Sequence, residues 1–164
     1  MNADIWALQQ LKARYFRYLD TKQWDNWRQL FTDDMVFYME DSALPQTQEA
    51  ITTSGDDFVE YVSELLTPTV TVHHGHMPEL EITGERTAKG VWAMYDWVDN
   101  ESDSDLPTMK GYGHYHEDYE KGDDGQWRIR VLRLTRLRTD DLASSRPDGE
   151  RPRPGPWKRP VPAR

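Results

Sequence analysis

The main change in the spacing of apolar residues along this chain falls near Pro68. Before that point apolar residues recur every three or four positions, beginning with Ile5, Leu8 and Leu11, which predicts amphipathic helices. After it, four segments rich in β-forming residues follow one another with turn residues between them. Helices followed by a run of strands, without βαβ alternation, favour an α+β fold over a parallel sheet.

The expected elements are these. The first helix ends near Asp20, and a second short helix packs through Trp24, Trp27, Leu30 and Phe31 and stops at Asp33 and Asp34. A strand is expected over 35–39, and Ser54 is the expected N-cap of a third helix, with acidic residues in its first turn. The four later strands are expected over 69–82, 87–98, 110–120 and 126–138.

Composition narrows the function classes. The formal charge of −9 disfavours nucleic-acid partners and favours small neutral or cationic ones. The absence of cysteine excludes disulfides, thiolate metal sites and a cysteine nucleophile. No segment approaches the roughly 20 apolar residues of a membrane helix, and the first residues lack the pattern of a secretory signal. We therefore expect a soluble, cytoplasmic protein without a membrane partner.

The chain divides by composition into a domain over 1–143 and a tail over 144–164. The tail holds six of the ten prolines and six Lys or Arg residues, so neither a helix nor a strand is expected there. Two interpretations are open. The tail is either solvated, or it lies across the acidic body of its own or a neighbouring subunit with Trp157 as an anchor.

All five histidines fall in two clusters on expected strands, His73-His74-Gly75-His76 and His114-Tyr115-His116. Residues two apart share a strand face, so each cluster can present paired imidazoles. Such pairs, completed by a carboxylate such as Glu81, are one way to build a metal site. The alternative is a single histidine acting as a general base that a distant carboxylate orients.

Asp20 is the candidate carboxylate. It lies at the C-terminal end of the first helix, where the helix dipole disfavours negative charge, so local helix energetics do not explain it. A purely structural role, in ending this helix or capping the next, is the other interpretation.

Several segments together resemble a known family. These are Arg17-Tyr18-Leu19-Asp20, then Leu30-Phe31-Thr32-Asp33-Asp34, the histidine strand Val72-His73-His74-Gly75-His76, and Gly113-His114-Tyr115-His116 through Gln126-Trp127-Arg128. Their order over about 5–138 resembles the SnoaL-like branch of the NTF2-like superfamily. The resemblance implies a cone in which N-terminal helices pack on a curved antiparallel sheet. It is strongest to the scytalone dehydratase, bile-acid 7α-dehydratase and hexachlorocyclohexane dehydrochlorinase group.

That resemblance implies a site and a chemistry. It implies elimination from a hydrophobic cyclic molecule without a cofactor or metal, by a dyad of His73 and Asp20. It further suggests Tyr15 as a donor to the substrate oxygen and Asp96 as a second carboxylate, which could instead be ion-paired to Arg133 or Arg136. The residues expected to bind substrate are Trp92, Trp97, Tyr115, His116 and Arg136. A homo-oligomer, dimer or trimer, is also implied.

Strict alternation along the histidine strand conflicts with this assignment. It puts His74 and His76, rather than His73, on the face of Leu80 and Ile82, so an inward His73 requires a β-bulge. Three other functions remain open: ketosteroid-isomerase-like proton transfer, non-catalytic binding of a small molecule, and a histidine-ligated metal protein.

Overall fold

The structure is a computed structural model that describes residues 2–40, 45, 49–100 and 108–142. The predicted tail over 144–164 and its boundary at 143 lie outside the described residues. Within the described part of the chain, three helices and five strands follow in the order expected, and none of these helices is both long and apolar enough to span a membrane.

Helix α1 spans Ala3–Asp20 and supplies the largest helical part of the core. The Asn2 side chain caps its start by accepting a hydrogen bond from the Asp4 backbone at 2.9 Å. Its buried face holds Leu8, Leu11, Lys12, Tyr15 and Leu19. The helix ends at Asp20, as predicted.

Helix α2 spans Trp24–Arg28, and strand β1 spans Phe31–Glu40. The helix is shorter than predicted because the strand begins soon after it. The prediction that Asp33 and Asp34 stop a helix is wrong. The Ile129 backbone N–H donates to the Leu30 carbonyl at 2.8 Å, so pairing with a neighbouring strand draws this segment into the sheet. The two acidic residues fall in a register irregularity of β1, between Phe31 and Val36.

Helix α3 spans Gly55–Leu66. The Ser54 hydroxyl accepts from the Asp57 backbone N–H at 3.0 Å, which confirms the predicted N-cap. Phe58 is buried on its inner face and packs against the rings of Trp27, Phe31 and Phe37.

The sheet contains β1, β2 (Thr69–Ile82), β3 (Thr87–Asn100), β4 (Met109–Lys121) and β5 (Trp127–Asp141). Their order across the sheet is β1-β5-β4-β3-β2. The last four strands pair antiparallel, as expected, and β1 adds a parallel edge beside β5. The α+β architecture with helices packed on a mainly antiparallel sheet is thus confirmed.

A bulge in β2 decides which histidine faces the helices. His76 pairs with Ala93 and Glu79 pairs with Val91, so β2 carries one extra residue there. Met77 within the bulge has a φ of 37°. The extra residue reverses the alternation: Thr71 and His73 share the inner face before the bulge, and Leu80 occupies it afterwards. An inward His73 is therefore compatible with an inward Leu80.

Candidate functional site

A cavity of about 260 Å³ lies between the helices and the inner face of the sheet. Its wall is mainly apolar and comes from α1, α3 and all five strands of the sheet. Polar groups are few and come mostly from α1, β2, β3 and β5. The lining residues of greatest interest are Tyr15, His73, Asp96, Tyr115 and Arg136, set among Leu19, Phe37, Phe58, Leu132 and Leu134.

His73 and Asp20 are in direct contact at this wall. His73 Nδ1 lies 2.6 Å from Asp20 Oδ1, and the His73 side chain is 7 % exposed. A carboxylate only accepts, so Nδ1 carries the hydrogen in this bond and Nε2 is the nitrogen left for proton transfer. The pair joins the last residue of α1 to β2, 53 positions later in the chain.

A second carboxylate, Asp96, reaches the cavity from β3. It accepts from Arg136 Nη1 at 2.9 Å and Nη2 at 2.8 Å, an arrangement that uses both oxygens of the carboxylate. Both side chains are at least nine-tenths buried, with exposures of 10 % and 4 % for Arg136 and Asp96. A desolvated pair of this geometry keeps each charge compensated inside an apolar wall.

Tyr15 and Tyr115 contribute phenol groups to the cavity. Burial, with the nearby charges of Glu117, Asp96 and Asp20 among the further causes, raises the pKa of each well above its usual value of 10.0. Both hydroxyls therefore stay protonated over the physiological range and can donate hydrogen bonds. The two rings also pack edge to face, with centroids 5.9 Å apart.

A buried charge pair supports these phenols from behind. Lys12 and Glu117 form an ion pair whose side chains are both 0 % exposed, and Tyr119 donates to the same carboxylate. Lys12 Nζ also lies 4.0 Å from the Tyr15 ring centroid and 3.7 Å from that of Tyr115. The lysine thus holds both cavity phenols by cation–π contact.

Sequence comparison identifies the family to which this architecture belongs. Residues 2–133 match the SnoaL-like domain. The chain belongs to the SnoaL-like family. A curated relative, the probable cyclase FGR4 of Gibberella zeae, is 26 % identical over 140 residues, covering 79 % of this chain and 89 % of that protein.

Solved structures share the SnoaL-like fold. A candidate scytalone dehydratase from Novosphingobium aromaticivorans has a TM-score of 0.70 at 21 % identity, with 84 % of this chain and 87 % of that one covered. The hexachlorocyclohexane dehydrochlorinase LinA-type3 from Novosphingobium barchaimii has a TM-score of 0.69 at 17 % identity, with 86 % and 91 % covered. At these identities the likeness establishes the fold alone.

Three of the predicted substrate-binding residues do not line the cavity of this SnoaL-like domain. Trp92 is buried beside it and donates from Nε1 to the Tyr119 hydroxyl at 2.8 Å. Trp97 follows the inward Asp96 and so lies on the opposite sheet face. His116 follows the inward Tyr115 and its Nε2 is 3.3 Å from the Thr135 hydroxyl. Aromatic character suggested the two tryptophans, whereas alternation from Asp96 and Tyr115 would have excluded Trp97 and His116.

The remaining histidines also lie on the outer sheet face. The rings of His74 and His76 stack with centroids 6.0 Å apart, and His114 and His116 are similarly spaced at 6.1 Å. Over residues 2–40, 45, 49–100 and 108–142, no three His, Asp or Glu side chains converge as metal ligands would. The metal hypothesis built on His74, His76 and Glu81 therefore has no supporting geometry in this part of the chain.

Four polar residues around the site were not predicted from the sequence: Lys12, Glu117, Thr71 and Lys22. Lys12 and Glu117 had a usable signal, because each interrupts an apolar face, of α1 and of β4 respectively. Thr71 is two residues before His73 and therefore shares its face. Lys22 had no such signal, since its position depends on how the chain leaves α1.

Proposed function

We propose that this SnoaL-like protein is a lyase that eliminates water, or a comparable leaving group, from a small hydrophobic cyclic molecule without a cofactor. The observation that carries this proposal is the 2.6 Å contact between His73 Nδ1 and Asp20 Oδ1 at the cavity wall. An imidazole oriented by a carboxylate is a general base suited to neutral pH, because the carboxylate stabilises the imidazolium that forms.

In the proposed reaction, His73 Nε2 removes a proton from a carbon of the substrate. The electron pair of that C–H bond forms the new C=C bond, and the neighbouring C–O bond breaks with its electrons remaining on oxygen. The departing oxygen takes the proton from the His73 imidazolium, so water leaves and neutral histidine is restored. A general base of this kind accounts for roughly 100- to 10,000-fold of the rate.

Tyr15 is the proposed donor to the substrate oxygen. Tyr15 lies on the cavity wall, and its raised pKa keeps the hydroxyl protonated. After burial, the negative charges of Asp96 and Asp20 are among the causes that raise this pKa. Tyr115 offers a second protonated phenol. Asp96, ion-paired to Arg136, is proposed to bind a polar substituent of the substrate or to orient it rather than to accept its proton.

The substrate class follows from the cavity and is supported by the relatives. A volume of about 260 Å³ walled by Phe, Leu and Val side chains suits a compact apolar ring. The names of the similar proteins support this class: one removes HCl from a chlorinated cyclohexane, one is a candidate scytalone dehydratase and one is a probable cyclase.

Hydrogen–deuterium exchange tests the base independently of the true substrate. A bicyclic ketone such as 2-tetralone is incubated with the protein in D2O, and loss of its α-proton signals is followed by NMR. We expect catalysed exchange that falls by at least about 100-fold in His73→Ala and Asp20→Asn. The matched controls are His74→Ala, on the outer face of the same strand, and Asp25→Asn, an exposed aspartate of α2.

Several outcomes would change the proposal. Exchange that persists in His73→Ala would remove the dyad from the mechanism. Exchange of the ketone, together with no elimination from a panel of cyclic alcohols and chlorides that includes scytalone and hexachlorocyclohexane, would favour ketosteroid-isomerase-like proton transfer. Tight binding of such compounds without exchange or turnover would favour a binding module. A homo-oligomer remains part of the proposal, to be checked by light scattering.

A further inference from the structure

The Asp20 carboxylate receives hydrogen bonds from three groups on β2. Oδ1 accepts from the Thr71 hydroxyl at 2.9 Å and from His73 Nδ1 at 2.6 Å. Oδ2 accepts from the His73 backbone N–H at 3.0 Å. Both oxygens are therefore fixed, and the oxygen that meets the imidazole is shared with Thr71.

Thr71 is in turn held by Lys22. Lys22 Nζ donates to the Thr71 hydroxyl oxygen at 2.9 Å. An ammonium group only donates and a carboxylate only accepts, so the threonine hydroxyl must accept from Lys22 and give its own hydrogen to Asp20. The direction of the whole series, from Lys22 through Thr71 to Asp20, is fixed by these roles.

The backbone conformation at Lys22 is unfavourable for a residue with a side chain, which indicates that the lysine side chain itself has a role at this position. Lys22 has a φ of 58°, and its N–H donates to the Leu19 carbonyl at 3.2 Å while that of Gln23 donates to the Tyr18 carbonyl at 2.9 Å. This is the Schellman ending of a helix, in which glycine is the favoured residue because a Cβ is disfavoured at positive φ. A lysine here gives up backbone stability and places an ammonium group beside Thr71.

We propose that Lys22 and Thr71 are positioning residues that hold the Asp20 carboxylate aimed at His73. The proposal rests on the proposed function for its consequence in turnover, but the hydrogen-bond series itself is independent of any substrate. Polarisation of the Thr71 hydroxyl by the lysine strengthens its donation to Asp20 Oδ1. That donation keeps the carboxylate in the one rotamer from which it reaches His73 Nδ1.

The test is the NMR resonance of the His73 Nδ1 proton, recorded on the full chain without ligand. In the wild type it is expected far downfield and protected from exchange with water. Lys22→Met and Thr71→Val should move it upfield or broaden it, whereas Thr71→Ser, which keeps the hydroxyl, should restore it. Lys89→Met, which removes an exposed lysine of β3, is the matched control and should leave it unchanged.

Lys22→Gly separates the side chain from the backbone. Glycine suits the positive φ, so this variant should be at least as stable to urea as the wild type and yet lose the downfield resonance. In the ketone-exchange assay, Lys22→Met and Thr71→Val should lower kcat by about 10- to 100-fold with little change in KM. The reason is that they disturb the orientation of Asp20 and His73 rather than the binding of the ketone.

The two proposals fail separately. An Nδ1 resonance that is unchanged in both Lys22→Met and Thr71→Val overturns the positioning role, whatever the activity. A resonance that moves as expected, in a protein whose wild type shows no exchange or turnover, supports the positioning role and removes the enzymatic function.

Discussion

Gly111 on β4 lies directly against Arg136, so closely that a Cβ at this glycine would overlap the guanidinium Nη1 and the Asp96 carboxylate together. The absence of a Cβ at Gly111 leaves the space that this buried ion pair occupies beside the cavity. Only a residue without a side chain leaves room for both charged groups at this point.

Gly111→Ala is therefore expected to displace the ion pair. We expect a loss of about 1–3 kcal/mol in the free energy of unfolding, measured with urea, because an added methyl in a packed site forces its neighbours to move. Gly84→Ala is the control, since its added Cβ meets only the Thr87 side chain in an exposed turn. In an Arg136→Met background the alanine should cost less, because the overlapping guanidinium is gone. Additive losses would contradict this account.

Arg136→Met should destabilise the protein by roughly 3–5 kcal/mol, because it leaves the buried Asp96 carboxylate without its partner. Asp96→Leu combined with Arg136→Met should be more stable than Arg136→Met alone, since no uncompensated charge remains. Arg138→Met, which breaks the exposed pair with Asp140, should have little effect. If the double variant is as unstable as Arg136→Met, shape rather than charge governs this site.

The pair of Lys12 and Glu117 supports a third prediction. Lys12→Met keeps the apolar stem but leaves Glu117 buried with Tyr119 as its neighbouring donor, so a loss of roughly 3–5 kcal/mol in urea unfolding is expected. The cation–π contacts to Tyr15 and Tyr115 are lost at the same time. Lys121→Met, at the more exposed pair with Asp4, is the matched control and should cost much less. Equal losses in the two variants would be evidence against a special role for burial.

The protonation of Lys22 supplies a fourth prediction. Burial lowers the pKa of Lys22 to about 8, and the charge of Asp20 partly opposes that shift. NMR of labelled lysine side chains should show Lys22 titrating near pH 8, and Asp20→Asn should lower its pKa further because the opposing charge is lost. Asp25→Asn should leave it in place.

The same titration fixes the sign of a stability effect. Between about pH 8 and the ordinary lysine value of 10.5, Lys22 is deprotonated in the folded protein but still protonated when unfolded. The unfolded state then binds more protons, so the contribution of Lys22 to the free energy of unfolding rises with pH across this window. Urea titrations at several pH values should show that rise, and Lys22→Met should remove it.

How much of the fold could be predicted from the sequence depends on how far apart along the chain the interacting residues lie. Local signals were sufficient for the end of α1 at Asp20 and the cap at Ser54, because helix ends are governed by neighbours within a few residues. The start of β1 was missed because Phe31 is drawn into the sheet by pairing with Ile129, almost a hundred residues later.

The residues of the candidate site likewise divide into those that could be predicted from the sequence and those that could not. Five site residues were named from the sequence: His73, Asp20, Tyr15, Asp96 and Arg136. The structure places all of them except Asp20 on the wall of one cavity, and Asp20 in contact with His73, although their roles in turnover remain a prediction. Trp97 and His116 were assigned by residue type and lie on the other face. Lys22 could not have been found, because its contact with Thr71 requires the left-handed turn after α1.

Because of the bulge at Met77, the two ends of β2 follow different alternation patterns. If every second residue is taken backwards from Ile82, the inner face of β2 would include His74 and His76. If every second residue is taken forwards from Thr69, the inner face includes His73. Deleting a single residue at the bulge would make the two counts agree and keep His73, Leu80 and Ile82 on one face, whereas the present sequence without a bulge would force either Leu80 and Ile82 or His73 out of the interior. Bulging out the extra residue thus lets the same strand seal the core at one end and present an imidazole to the cavity at the other.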